Sequence, residues 1–173
     1  AGQSRCHAAV ARVGRASGKD ERTLRGSHGA DAEWADAIVL GTPTRFGSIS
    51  SELKAYIDGL GGLWFQGKLN GKVGSAFGAT SSLHGGNEST LLSMYTPMAH
   101  LGLIIVPLGY ADAAMFKAGT PYGATHVSKL DTVEPDAEHL DVARFQGRRV
   151  ATVARRCGAV ERRRCRLRSA AHW

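Results

Sequence analysis

The feature that most constrains this chain is a repeated order of short apolar run, turn-rich loop and helix. Asp36 to Leu40 (DAIVL) is an apolar run stopped at Gly41-Thr42-Pro43, the pattern of a buried parallel strand ending in turn residues. Ser50 to Asp58 (SSELKAYID) follows with a serine cap and a charged, helix-favouring first turn, and Gly59, Gly61 and Gly62 are expected to end it. The unit then recurs: Lys72 to Phe77 (KVGSAF) reads as a strand, a Gly/Ser/Thr loop follows, and a helix runs from about Glu88 to His100. Leu103 to Val106 is a third strand, a Gly-, Ala- and Tyr-rich excursion follows Pro107, and Pro135 to Arg156 reads as a closing helix. Alternating strands and helices predict an α/β fold with a doubly wound parallel sheet, which binds ligands in the loops at the carboxyl ends of its strands.

The two ends depart from this order. Residues 1–30 scatter Arg, Gly, Ser and His, and only Ala8 to Val13 could form a short helix or strand, so the sheet is expected to be incomplete at the N-terminus. The domain is placed at 31–156, and 157–173 reads as a basic, disordered tail. The net charge of +7 follows this division: ten arginines and one acid, Glu161, lie between Arg144 and Arg168, while Asp31 to Asp141 is close to balanced. A cationic groove across the fold is not predicted, and nucleic acid is not indicated as a partner of the domain. Cys6, Cys157 and Cys165 lack metal-site spacing, so no metal is expected and a reducing cytoplasm is the simplest setting. No apolar run approaches the roughly 20 residues that cross a bilayer.

Two loops carry the candidate chemistry. Thr42, Pro43, Thr44, Arg45, Phe46 and Gly47 follow the first strand, with hydroxyls, amides and an aromatic edge for a planar ligand. Thr80, Ser81, Ser82, Leu83, His84 and Gly85 follow the second, where small residues let the backbone approach a ligand and the next helix start offers amides. Either loop alone is equally well an ordinary connection. Trp64, in Gly-Gly-Leu-Trp, could stack on a nicotinamide or quinone, and His100 could hydrogen-bond a reacting oxygen; a core anchor and a helix-terminal cation are the plainer alternatives.

The ordered set GTPTRFG, GGLW, LHGGNEST, the His100 segment, VPLGY, Ala118 to Thr125 (AGTPYGAT) and Ala143 to Gly147 (ARFQG) resembles the WrbA family of flavodoxin-like NAD(P)H:quinone oxidoreductases over about two thirds of the chain. The resemblance implies FMN as cofactor, NADH or NADPH as electron donor, a quinone as substrate and a homotetramer. It implies that Thr44, Arg45 and Phe46 contact the isoalloxazine ring, with Thr80 to Gly85 as the second flavin loop. It also implies that His100 reaches the flavin from a neighbouring subunit and that Trp64 covers the ring where nicotinamide and quinone bind in turn. Arg45 suits the anionic end of a reduced ring, and His100 or water can supply a proton.

The family's opening strand and phosphate-holding loop are not recognisable; Arg15-Ala16-Ser17-Gly18 and Ser27-His28-Gly29 lack a preceding apolar run. The ends are therefore expected to be a truncated or frame-shifted reading of a complete gene. The competing reading is a flavin-less oligomerisation or interaction module dominated by basic tails.

Overall fold

The computed structural model describes residues 8–12 and 29–170, with side chains described over 29–158. Its elements in chain order are β1 (Ala8–Arg12), α1 (Gly29–Trp34), β2 (Ala37–Pro43), α2 (Ser51–Gly59), α3 (Gly61–Phe65), β3 (Val73–Thr80), α4 (Asn87–His100), β4 (Ile104–Ile105), a 3-10 turn (Ala113–Phe116), β5 (Thr125–Val127) and α5 (Ala137–Ala170).

All strand pairs are parallel. The path runs β1-β2-β3-β4, and β5 joins β3 beyond β4. β2 and β3 pair over seven positions, from Ala37 with Val73 to Pro43 with Ala79. Because both faces are covered, β2 is apolar or small at every step but Thr42. Ile38 and Leu40 enter one core with Leu53, Ile57, Leu91, Met94 and Met98, while Ala37 and Val73 enter the other with Val150 and Ala154. Lys72 sits at the foot of β3, where its ammonium donates to the carbonyls of Glu33 (2.7 Å) and Ala35 at the end of α1.

Three expectations meet a definite outcome. Ala8 to Val13, read as a possible short helix or strand, supplies a strand: Ala8–Arg12 pairs with Ala37–Gly41, so β2 is not the exposed edge. Five residues suffice for that ladder, and their short apolar content left helix and strand open in the sequence. Second, α2 ends at Gly59, as its glycines predict, but Leu60 turns directly into a further short helix, α3, and the left-handed glycines, Gly67 (φ 69) and Gly71 (φ 80), come after it. Third, the closing helix does not stop near Arg156 but continues to Ala170, through residues expected to be a disordered tail. Arg15 to Gly18, Ser27 and His28 lie outside the described residues.

The excursion after β4 is anchored by one buried polar node. Gln146 of α5 accepts the Ala124 amide (3.0 Å) and donates to Ser75 Oγ (2.8 Å) and the Ala76 carbonyl (2.7 Å). Gly123 passes so close that a Cβ there would stand 2.0 Å from the Ala76 oxygen. That approach lets β5 take over the edge of β3 at Gly78 once β4 has ended.

Candidate functional site

Two loops meet at the carboxyl ends of β2 and β3. The first begins where the Thr44 amide donates to the Ala79 carbonyl (2.8 Å), one step beyond the strand. Arg45 and Ser48 exchange amide–carbonyl bonds at 2.9 and 3.1 Å, which closes a tight turn with Phe46 (φ 52) and Gly47 (φ 76) at its tip. A left-handed phenylalanine costs about 1–2 kcal/mol, and this one is fully exposed. The turn thus holds an aromatic ring out where no neighbour of its own chain covers it.

The second loop folds on Ser82, whose carbonyl receives the Thr80 hydroxyl (2.8 Å) and the Gly85 amide (3.0 Å). Ser81, Ser82, Leu83 and His84 are left exposed. Gly86, at φ 91, then starts α4. The loops are locked together: Thr44 Oγ1 lies 2.7 Å from Thr90 Oγ1 and donates to the Gly85 carbonyl (3.3 Å). A Cβ on Gly86 would stand 2.8 Å from Gly47 Cα, so only a glycine allows this contact.

The expected loop residues divide by role. Thr44, Arg45, Phe46, Gly47 and Ser81 to Gly85 are brought to one edge of the sheet. Thr42 and Thr80 are buried, at 4% and 3% exposure, and hold the loops from behind. Thr42 Oγ1 accepts the Ser50 amide (3.1 Å), and Ser50 Oγ in turn accepts the Leu53 amide to cap α2 (3.3 Å). Pro43 is half-buried at the end of β2. Beside them Glu52 has its carboxyl held below the ordinary range, first by its own backbone amide, then by Ser50, with the Arg45 charge the smallest contribution.

One residue beyond the expected set stands out. Asn87, the first residue of α4, is 7% exposed, and its Oδ1 is buried without a hydrogen-bond partner among the described residues. A buried acceptor beside the glycine contact suits a ligand N–H, and the Gly-Gly-Asn run was its sequence mark. The glycine contact brings this acceptor, the exposed Phe46 and the exposed Ser81 to His84 to one edge of the sheet, residue types that suit a flat, hydrogen-bonding ring such as a flavin.

Trp64 and His100 are not brought to these loops. They line a different, open groove of about 330 Å³ with Ile57, Asp58, Pro97 and Leu101. His100 ends the 14-residue α4 whose start carries Gly86. At 1.5 Å per residue the two ends lie about 20 Å apart. Trp64 is half exposed, at 54%, in that groove. A further aromatic pair, Tyr110 and Phe116, stacks at 5.4 Å on the excursion after β4 and is also exposed.

The comparisons with known proteins agree with this geometry. The family model described as NADPH-dependent FMN reductase matches residues 26–116. A protein named NAD(P)H dehydrogenase (quinone) from Paraburkholderia phymatum is 50% identical over 131 residues, covering 72% of this chain and 66% of that protein. One named NAD(P)H dehydrogenase (quinone) 3 from Rhizobium meliloti is 50% identical over 127 residues, covering 69% of this chain and 60% of its own length. The chain therefore spans between 60% and 66% of the length of these curated relatives. Among solved structures, a WrbA-like flavodoxin from Agrobacterium tumefaciens superposes with a TM-score of 0.61 and 31% identity, over 73% of this chain and 71% of that one. With the family model over more than half of the chain and the two locked loops in place, this chain belongs to the NADPH-dependent FMN reductase family, in its WrbA-like, flavodoxin-fold group.

Proposed function

We propose that the chain carries the ring-binding part of an FMN-dependent NAD(P)H:quinone oxidoreductase, a cytoplasmic enzyme that reduces quinones to hydroquinones by two electrons in a ping-pong cycle. The observation that carries this reading is the pair of loops locked through Thr44, Thr90, Gly47 and Gly86 at the carboxyl edge of β2 and β3. The names of the relatives at 50% identity support it. FMN, when bound, supplies hydride acceptance from a nicotinamide and two-electron delivery to a quinone.

The chain's own residues then have defined tasks. Thr44 and the amides of the second loop orient the ring, and Asn87 Oδ1 offers it an acceptor. Phe46 covers an edge and keeps water from it. Arg45 holds positive charge beside the loop without being neutralised by a near acid: its guanidinium donates to the Thr44 carbonyl (3.0 Å) and its influence on Glu52 is slight. His100, about 20 Å along α4 from its own loops, and Trp64, which lines the same groove, act on the site of a neighbouring copy in a homotetramer, where Trp64 stacks on nicotinamide or quinone and His100 supplies a proton.

Purified chain reconstituted with FMN is the test. Flavin absorbance that survives gel filtration, together with NADH- or NADPH-dependent quinone reduction showing parallel double-reciprocal lines, is the expected result. Protein that is folded, takes up no FMN and turns over no quinone refutes the reading. One observation favours the flavin-less interaction module: α5 continues to Ala170 through an arginine-rich sequence. Salt-dependent nucleic-acid binding lost on deletion after Arg156 is its signature.

A further inference from the structure

Outside the cofactor loops, β5 and the start of α5 bring two histidines together. His126 of β5 and His139 of α5 have ring centroids 5.0 Å apart and planes at 89°. Each imidazole is already committed at one nitrogen. His126 Nε2 lies 2.7 Å from the Val133 carbonyl, which can only accept, so this nitrogen carries the hydrogen and Nδ1 is a bare lone pair. His139 Nδ1 lies 2.6 Å from Asp136 Oδ1, so the hydrogen sits there and Nε2 is the bare nitrogen. His126 Nδ1 is buried and has no partner among the described residues.

We propose that His126 and His139 form a binding site for a borderline divalent transition cation, such as Zn²⁺, through His126 Nδ1 and His139 Nε2.

Three points of chemistry carry the assignment. Metal-binding histidines characteristically donate the other ring N–H to a carbonyl or carboxylate, which fixes the tautomer and aims the lone pair, and both kinds of partner are present here. Two imidazoles on one tetrahedral ion, with about 2.0–2.1 Å per bond, place their centroids on the order of 5 Å apart, the separation observed. The ion also gives the buried Nδ1 the partner it lacks. Among the described residues no three His, Cys, Asp or Glu side chains gather round one point. The protein therefore supplies two ligands and water completes the shell, entering beside His139, whose side chain is 29% exposed.

The site has a structural consequence. Between the two histidines, Lys129, Leu130 and Asp131 are consecutive left-handed residues, at φ 48, 63 and 63. That strained turn is tied to the second cofactor loop where the Ser128 amide donates to the Thr80 carbonyl (2.8 Å). An ion bridging β5 to α5 closes both ends of the turn and stabilises the native state by mass action.

The test is a Zn²⁺ titration of untagged full-length chain in chelator-free buffer, read by calorimetry and by thermal melting. One ion per chain is expected, with affinity reduced at least tenfold by His126→Ala and by His139→Ala, and about tenfold by Asp136→Asn, which removes the carboxylate behind His139. Cys157→Ser is expected to bind as wild type. Wild-type protein whose melting temperature does not rise with Zn²⁺ overturns the proposal without any variant, so a variant that folds poorly does not protect it. Equal affinity in the double histidine variant, or loss of binding on Cys157→Ser, overturns it as well. None of these readouts needs flavin, so the outcome is independent of the quinone-reductase reading.

Discussion

Replacing Gly86 by alanine tests whether the two loops at the carboxyl ends of β2 and β3 work as one unit. Gly86 sits at φ 91, ψ 42, where a side chain is strained by about 1–2 kcal/mol. Its new Cβ would lie 2.8 Å from Gly47 Cα and 2.8 Å from Ser89 Oγ. The serine can rotate away, but the backbone of Gly47 cannot, so relieving the contact to about 3.5 Å parts the loops by roughly 0.7 Å. The 2.7 Å contact between the Thr44 and Thr90 hydroxyls then passes the limit of a good hydrogen bond, a further loss of about 1 kcal/mol. Together these give about 2–3 kcal/mol, or a fall in melting temperature of roughly 5–10 °C for a domain of this size. Flavin affinity, followed by quenching of FMN fluorescence, is expected to fall at least tenfold. Gly59→Ala is the control, since nothing lies within 4 Å of its Cβ and alanine favours a helix by up to about 1 kcal/mol. A Gly86→Ala protein that melts within 1 °C of wild type and binds FMN equally well refutes the argument that these loops are locked by glycine contact.

Three other perturbations probe separate parts of the fold. Gln146→Leu leaves the Ala124 amide without its partner and removes the donor to Ala76; denaturant unfolding is expected to show a loss of about 2–4 kcal/mol, and a loss under 1 kcal/mol contradicts the role given to this residue. Thr44→Val keeps the shape of the first loop while deleting its hydroxyl contacts, so FMN titration is expected to show weaker binding by about three- to tenfold, with stability lowered by no more than about 1 kcal/mol. Burial pushes the Tyr95 phenol up to about 12, while its hydroxyl donates to the Tyr122 carbonyl. The folded state therefore holds this proton more tightly than the unfolded chain, and stability is expected to decline from about pH 10 toward pH 12. Melting curves across that range should flatten in Tyr95→Phe, and an unchanged slope would contradict the assignment.

The strands were legible where they are buried on both faces. Ala37–Pro43 and Val73–Thr80 are apolar or small at nearly every step and end in turn residues, so their order with α2 and α4 could be read directly. β1 was legible only as an alternative, short helix or strand: five residues rich in alanine carry little periodicity, and pairing with β2 makes them a strand. The glycine run marked the end of α2 at Gly59, but not the short α3 that follows at Gly61–Phe65, because Gly61 and Gly62 carry no side chain to signal a helix and the left-handed positions come later, at Gly67 and Gly71. Gln146 lay inside a quoted motif without a role, since a buried amide that joins three elements has no local mark.

The site was legible as a set of residues but not as an arrangement. Thr42 and Thr80 look no different in sequence from Thr44, yet strand alternation and the burial of both sheet faces turn their hydroxyls inward, where they bond Ser50 and Ser82. The separation of Trp64 and His100 from the loops has a simpler cause. α4 carries Gly86 at one end and His100 at the other, and a 14-residue helix cannot bend back on itself. Any chemistry that needs Phe46 and His100 at one ring must therefore take them from two copies of the chain. On the function proposed above, association is then a condition of turnover, so dilution of FMN-loaded protein is expected to abolish quinone reduction, and full activity in a monomer refutes the placement of His100 at a neighbour's ring.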